Sequence, residues 1–222
     1  MRESARARGS ARLSRFGSIP GRSWVVMSAL LALVPLGAAR ATGLQLGARI
    51  GYTDLSGSPF QGADSFQGTE IVGLQIVLPL TRRLAVSVEG EGSSETIDFS
   101  TPGESAGSIE DGTVDWSDLA LYASARLGLL PPSGPLEVYV GGGAGVHFAE
   151  LTYKDVSEAV SNALEEKHGT EDSGLEWHGL AGASVGLGQL LSVFAETRYR
   201  DVTGEFDRRG WAGYVGLNLR LD

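Results

Sequence analysis

From Leu136 to Phe148 every second residue is apolar or small: Leu136, Val138, Val140, Gly142, Ala144, Val146 and Phe148. Between them lie Glu137, Tyr139, Gly141, Gly143, Gly145 and His147. A period of two marks an extended strand with two chemically different faces, because successive side chains point to opposite sides. The run outlasts the ~5–6 residues of an ordinary globular strand and matches the ~9–11 that a tilted strand needs to cross a bilayer. Glycine on the polar face leaves space where bulk would obstruct a sheet that closes on itself.

The same alternation recurs along the chain. Leu44–Tyr52 sets Leu44, Leu46, Ala48, Ile50 and Tyr52 against Gln45, Gly47, Arg49 and Gly51. Val72–Leu80 follows, and then a run with Leu84, Val86 and Val88 opposed to Ser87, Glu89 and Glu91. Leu119–Leu129 alternates with Tyr122, Ser124, Arg126 and Gly128. After the opening stretch come Trp177–Leu187, with His178, Gly182 and Ser184 on its second face, and Leu191–Tyr199, with Phe194, Glu196 and Arg198 on its second. Trp211–Leu221 closes the series, opposed by Tyr214, Asn218 and Arg220.

Connections of two kinds alternate between these runs. Thr53–Thr69, Ser93–Asp118, Glu150–Glu176 and Arg200–Gly210 are long and polar, whereas Thr81–Arg83, Pro131–Pro135 and Gly188–Gln189 are tight turns. In the third long connection Asp155 and Glu158 have the spacing of a capping box, Val156, Val160 and Leu164 share a helical face, and Gly169 supplies a stop. A short helix is expected there. An even number of up-and-down strands places every long connection at one end of a barrel and every short turn, with both termini, at the other. The pattern therefore predicts an all-β fold: an eight-stranded antiparallel up-and-down transmembrane β-barrel with four long outer loops and three short periplasmic turns.

A soluble lipocalin-like cup also alternates, with its apolar face inward. Two features favour the membrane. Tyr52, Phe148, Trp177, Tyr199 and Trp211 all share the parity of their strand's apolar set and lie toward the long-loop end, as an aromatic girdle at a membrane interface would. The opposite face carries Arg49, Glu89, Glu91, Arg126, Glu137, Glu196, Arg198 and Arg220, which offset one another if turned into a common lumen.

Charge and composition sharpen this picture. Of 18 basic and 27 acidic residues, 7 arginines and 1 glutamate fall in the first 41 positions, leaving 11 and 26, a formal net charge of −15 on the body. Such a body does not neutralise phosphates, which excludes nucleic acid as a partner. The arginine-rich start, the apolar run Trp24–Ala39 and the sequence Ala39-Arg40-Ala41 read as a secretory signal peptide over residues 1–41, cut after Ala41, with the barrel domain over 42–222. The absence of cysteine excludes disulfides and thiolate chemistry. No nucleotide, zinc or calcium-loop motif is present, so no cofactor, metal or catalytic residue is expected.

The segments Val138–Val146, Phe194–Tyr199 and Gly213–Leu221 resemble the small eight-stranded outer-membrane β-barrels of the OmpA transmembrane-domain, OmpX and opacity-protein superfamily. The resemblance covers residues 42–222. It implies residence in the outer membrane of a Gram-negative cell envelope, contact with outer-membrane lipid and lipopolysaccharide, and insertion by the outer-membrane assembly machinery. The ending Leu221-Asp222 departs from the terminal aromatic that commonly serves these barrels as an insertion signal.

An eight-stranded barrel is just wide enough for side chains to fill its interior. The main expectation is thus a structural and surface-interaction protein, its lumen plugged by paired charges and its outer loops contacting a ligand or partner. Glu104, Glu110, Asp111 and Asp115 are the acidic loop residues suited to a basic partner or to cation-bridged lipopolysaccharide. The alternative is a narrow gated, porin-like channel opened by exchange of the charge pairs. A lipid A-modifying enzyme ranks lower, since His147 and His178 sit on the lumen parity, His168 in a loop, and none beside a serine on the apolar face.

Overall fold

The computed structural model describes residues 43–56, 68–102, 109–130, 134–204 and 208–221. The proposed leader, residues 1–41, lies outside them. Eight strands follow in order: β1 (Leu44–Ser56), β2 (Thr69–Pro79), β3 (Leu84–Pro102), β4 (Ile109–Gly128), β5 (Leu136–Lys154), β6 (Glu171–Gly186), β7 (Leu191–Thr203) and β8 (Arg208–Leu221), with one helix, α1 (Glu158–His168), between β5 and β6. Each strand pairs antiparallel with the next, and β1 pairs with β8 from Leu44↔Leu221 to Ser56↔Arg209. The sheet is a closed barrel. Closure removes the free edge that hydrocarbon, which holds no water to satisfy it, could not accommodate.

The turns at one end are tight. In the β2–β3 turn the Thr81 hydroxyl accepts hydrogen bonds from the backbone N–H groups of Arg83 (3.2 Å) and Leu84 (2.9 Å). The β6–β7 turn uses Gly188 at φ +91°.

At the other end the strands run further than their alternation predicts. β3 continues to Pro102 and β4 begins at Ile109 within what reads as a single loop over 93–118, while β5 reaches Lys154 and β6 begins at Glu171. The cause is an inversion of polarity along the strands. In the lower part Val86, Val88, Leu119, Leu121 and Leu127 point away from the lumen; beyond it the outward set is Thr96, Asp98, Ser100, Asp111, Thr113, Asp115 and Ser117. The inward set changes the opposite way, to Ile97, Phe99, Val114, Trp116, Ala149, Leu151 and Tyr153, all buried. The change falls at matched register: Gly92, Leu119 and Phe148 pair across three strands, and Ser94, Ser117 and Glu150 form the next row out. A surface facing lipid must be apolar, whereas a surface facing water must keep its apolar residues inside, so this line marks the outer boundary of the membrane.

Helix α1 packs Val160 and Leu164 onto this outer apolar cluster, with Val156 at its edge. Gly169 ends the helix at φ +74°, its N–H donating to the Glu165 carbonyl at 2.9 Å. The expected capping box does not form. The cap is Ser157, whose N–H donates to Glu110 at 3.0 Å, because Asp155 is spent on the turn out of β5, at φ +60°, where its carboxylate accepts from Thr113 at 3.2 Å.

Candidate functional site: the charged lumen

The inward parity of the strands assembles one polar core. Its buried members include five arginines (49, 126, 198, 200, 208) and five carboxylates (Glu89, Glu91, Asp118, Glu176, Glu196), with His147 and His178 beside them. Arg198 is 0% and Glu89 1% exposed. Buried charge is tolerated only when paired and hydrogen-bonded, and here arginines and carboxylates are equal in number.

Glu89 is the hub of the inner half. It accepts from Arg49 at 2.5 Å, from Arg126 at 3.2 Å, from the Ser87 hydroxyl at 2.5 Å, and from Arg198. Arg198 also donates to Glu196 at 2.6 Å, and Arg126 reaches Glu196 at 3.3 Å and Gln75 at 2.9 Å. Gln75 in turn donates to Asn218 at 2.7 Å. The Arg198–Glu89 pair joins β7 to β3 and so spans the lumen instead of following its wall.

Nearer the outer mouth Glu91 accepts from Arg49 (2.8 Å), Arg200 (2.7 Å) and the Tyr122 hydroxyl (2.7 Å). Arg200 continues to Glu176 at 2.9 Å, which meets His147 at 2.5 Å and His178 at 3.1 Å. His147 contacts Asp118 at 2.8 Å, and Asp118 meets Arg208 of β8 at 3.4 Å. The Arg208 guanidinium lies 4.7 Å over the ring of Trp116, where the charged lumen adjoins the apolar outer cluster. Arg49 lies 4.6 Å over Tyr214 in the same manner, an arrangement that favours a desolvated cation.

The aromatic residues of the lumen need the glycines opposite them. Tyr122 pairs in register with Gly145, Tyr139 with Gly182, Phe194 with Gly216 and Tyr214 with Gly51. A Cβ on any of these glycines would come within 2.5–2.6 Å of the facing ring. Each ring lies over its neighbour's bare backbone, which fills the interior without splaying the strands.

Of the eight charges placed inside by alternation, Arg49, Glu89, Glu91, Arg126, Glu196 and Arg198 lie in this network. Glu137 and Arg220 do not; both are exposed. Glu137 is the second residue of β5 and Arg220 the penultimate residue of β8, so they sit at the open short-turn rim, where water solvates them. Asp118, Glu176, Arg200 and Arg208 are network members that the sequence reading left in loops. The signal that finds them is the same parity carried two residues further, from Arg198 to Arg200 and from His178 to Glu176.

Two further arrangements bear on chemistry. Ser124 Oγ is 3.0 Å from His178 Nε2, and His178 Nδ1 is 3.1 Å from Glu176, the connectivity of nucleophile, base and orienting carboxylate. All three are buried within the packed lumen, whereas a catalytic triad needs a site that substrate can enter. Among the described residues no group of three or more His, Cys, Asp or Glu could hold a metal ion.

On the outer wall Tyr52, Phe148, Trp177 and Trp211 are about half exposed, and Tyr199 lies between Trp177 (6.4 Å) and Trp211 (5.3 Å) as a contiguous aromatic row. Beyond the membrane boundary Lys154 pairs with Asp115, which also accepts from Thr96 at 2.8 Å. Partial burial alone would raise the Asp115 carboxyl, but the hydrogen bonds from Lys154 and Thr96 outweigh it and hold the group below its usual range.

The barrel has counterparts of known structure. Neisserial surface protein A superposes with a TM-score of 0.58 at 13% identity, over 80% of this chain and 97% of its own. OprG of Pseudomonas aeruginosa does so with 0.53 at 13%, over 82% and 96%, and Ail, the attachment invasion locus protein of Yersinia pestis, with 0.50 at 11%, over 81% and 99%. Identities this low speak for the fold alone. No curated relative matches the sequence significantly. The model of the outer membrane protein beta-barrel domain matches residues 26–219, and the chain, closed, eight-stranded and apolar on its outer wall, belongs to that family of outer-membrane proteins.

Proposed function

We propose that the protein is a closed, non-conducting barrel with a structural and surface-interaction role, its lumen plugged by side chains and its outer connections contacting a ligand. The observation that carries this reading is the balanced set of five arginines and five carboxylates buried across the lumen. Opening a water-filled path would separate several such pairs, and breaking one buried pair costs about 3–5 kcal/mol. Reconstituted into planar bilayers, the barrel is expected to pass no current; steps comparable with those of a general porin would overturn the plug.

The narrow gated channel is the second reading. Arg49 Nε, Arg126 Nε and Arg198 Nη1 are buried donors that meet no acceptor among the described residues, so partners could exchange. It predicts rare, small, voltage-dependent openings.

The outer connections are the proposed contact surface. Asp98, Asp111 and Asp155 line a groove floored by Phe99 and Gly112 on the β3–β4 extension. Its acidity suits a basic surface ligand or lipopolysaccharide bridged by divalent cations. Glu110 holds Ser157 and Asp115 pairs with Lys154, whereas Asp111 accepts from the Ser100 hydroxyl at 2.7 Å and faces the groove, so it is the acid to test first; Glu104 lies outside the described residues. Neutralising Asp98 and Asp111 together should abolish binding to lipopolysaccharide vesicles loaded with Ca²⁺, and unchanged binding would retire this surface.

A further inference from the structure

His147 is 1% exposed and carries a carboxylate on each ring nitrogen: Asp118 Oδ2 2.8 Å from Nδ1 and Glu176 Oε2 2.5 Å from Nε2. A neutral imidazole has one donor and one acceptor, and an ionised carboxylate only accepts. A neutral ring would therefore set a lone pair against a carboxylate on one side. The other groups facing it do not relieve this. Tyr122 on β4 directs its hydroxyl to Glu91 of β3, and Arg200 of β7, 3.3 Å from Nε2, already donates to Glu176 and Tyr122. His178 of β6 holds the second oxygen of Glu176, and Arg208 of β8 reaches Asp118 only at 3.4 Å. By contrast His178 meets one carboxylate and one hydroxyl.

We propose that His147 is a proton-operated latch of the outer mouth, tying Asp118 on β4 to Glu176 on β6 while both its ring nitrogens are protonated. When one proton leaves, a single hydrogen bond survives and the other carboxylate is pushed away. Asp118 carries Arg208, and Arg208 lies over Trp116 at the base of the outer apolar cluster. Release of the latch thus loosens the β3–β4–β5 extension and α1, the surface on which a ligand would dock. The latch deepens the reading of the outer connections as the working surface, yet its test needs no ligand.

The test uses the full chain folded in detergent micelles and labelled with ¹⁵N-histidine and 5-fluorotryptophan. At pH 7.5, where a free imidazole is mostly neutral, His147 should show both nitrogens protonated; a single-tautomer neutral His147 overturns the latch. On raising the pH, the Trp116 ¹⁹F resonance should move with the His147 titration. In His147→Gln it should sit at the alkaline position throughout, and in His147→Arg it should not move. A Trp116 signal that ignores deprotonation of His147 also overturns the latch. If neither variant folds, the titration of the unaltered chain decides alone. Conductance at a pH where His147 is doubly protonated would contradict the plug and leave the latch standing.

Discussion

Glu89→Gln is the perturbation that bears hardest on the lumen. The substitution keeps the shape of the side chain and removes the charge that accepts from Arg49, Arg126 and Arg198. It also places an amide N–H₂ among three guanidinium groups, none of which can accept a hydrogen bond. Removing one partner from a buried ion pair costs about 3–5 kcal/mol, mostly the penalty of leaving the opposite charge unpaired. Glu89 has three such partners and 1% exposure, and Glu196 and Glu91 retain part of the load, so a loss near the upper end of that range, about 4–5 kcal/mol, is expected. The assay is equilibrium urea unfolding in lipid vesicles, followed by tryptophan fluorescence. In a double-mutant cycle with Arg198→Gln, the pair should lose less than the sum of the single losses, since each removal relieves the other's unpaired charge. A Glu89→Gln loss under about 1 kcal/mol, the scale of a solvated surface pair, would show that water fills the lumen, and the reasoning would fail.

Other positions test separate parts of the account. Glu137→Gln should leave the unfolding midpoint within error of the unaltered chain, because Glu137 lies at the wet rim; a loss like that of Glu89→Gln would return it to the lumen. A Cβ at Gly143 would lie 2.2 Å from the Ala123 carbonyl oxygen, whereas one at Gly179 meets nothing within 4 Å. Gly143→Ala should therefore cost about 1–3 kcal/mol by overpacking and lower the folded fraction on gels run before and after boiling, and Gly179→Ala should not. Because the folded-state carboxyl of Asp115 lies below its ordinary value, its contribution is present above about pH 4 and fades as pH falls through that lower value. Asp115→Asn should thus give a small, salt-sensitive loss at pH 7 that shrinks as the pH is taken down below about 4, as seen by amide exchange along β4.

The closed sheet could be read from the chain because each strand repeats one rule inside the membrane, apolar out and polar in. Val86, Val88, Leu119, Leu121 and Val140 keep to it, and the strand count, order and short turns follow. Where the surrounding medium changes, the rule reverses. Ile97, Phe99, Val114, Trp116, Leu151 and Tyr153 still alternate, but on the lumen parity, and a search for one continuous apolar face takes the reversal for a loop. Asp118, Glu176, Arg200 and Arg208 fall in those apparent loops for the same reason. Parity assigns a face but not a height, which is why Glu137 and Arg220 were placed inside although they stand at the rim. Pairing lies further from reach: the three arginines that Glu89 holds stand on strands one, two and four staves away, and no local spacing encodes that. The helix over the outer cluster was found from Val160 and Leu164, but its cap was not, because the backbone of β5 claims Asp155 first.

The claim on which all of this depends is that the outer wall of the barrel faces acyl chains. Val140 and Leu217 point outward on β5 and β8, 39% and 51% exposed. Nitroxide spin labels at these two positions, in the chain reconstituted into vesicles, should be relaxed by dissolved oxygen and shielded from a water-soluble nickel chelate. Collision with the chelate at both sites, with oxygen no more effective than in buffer, would place that wall in water and contradict the account.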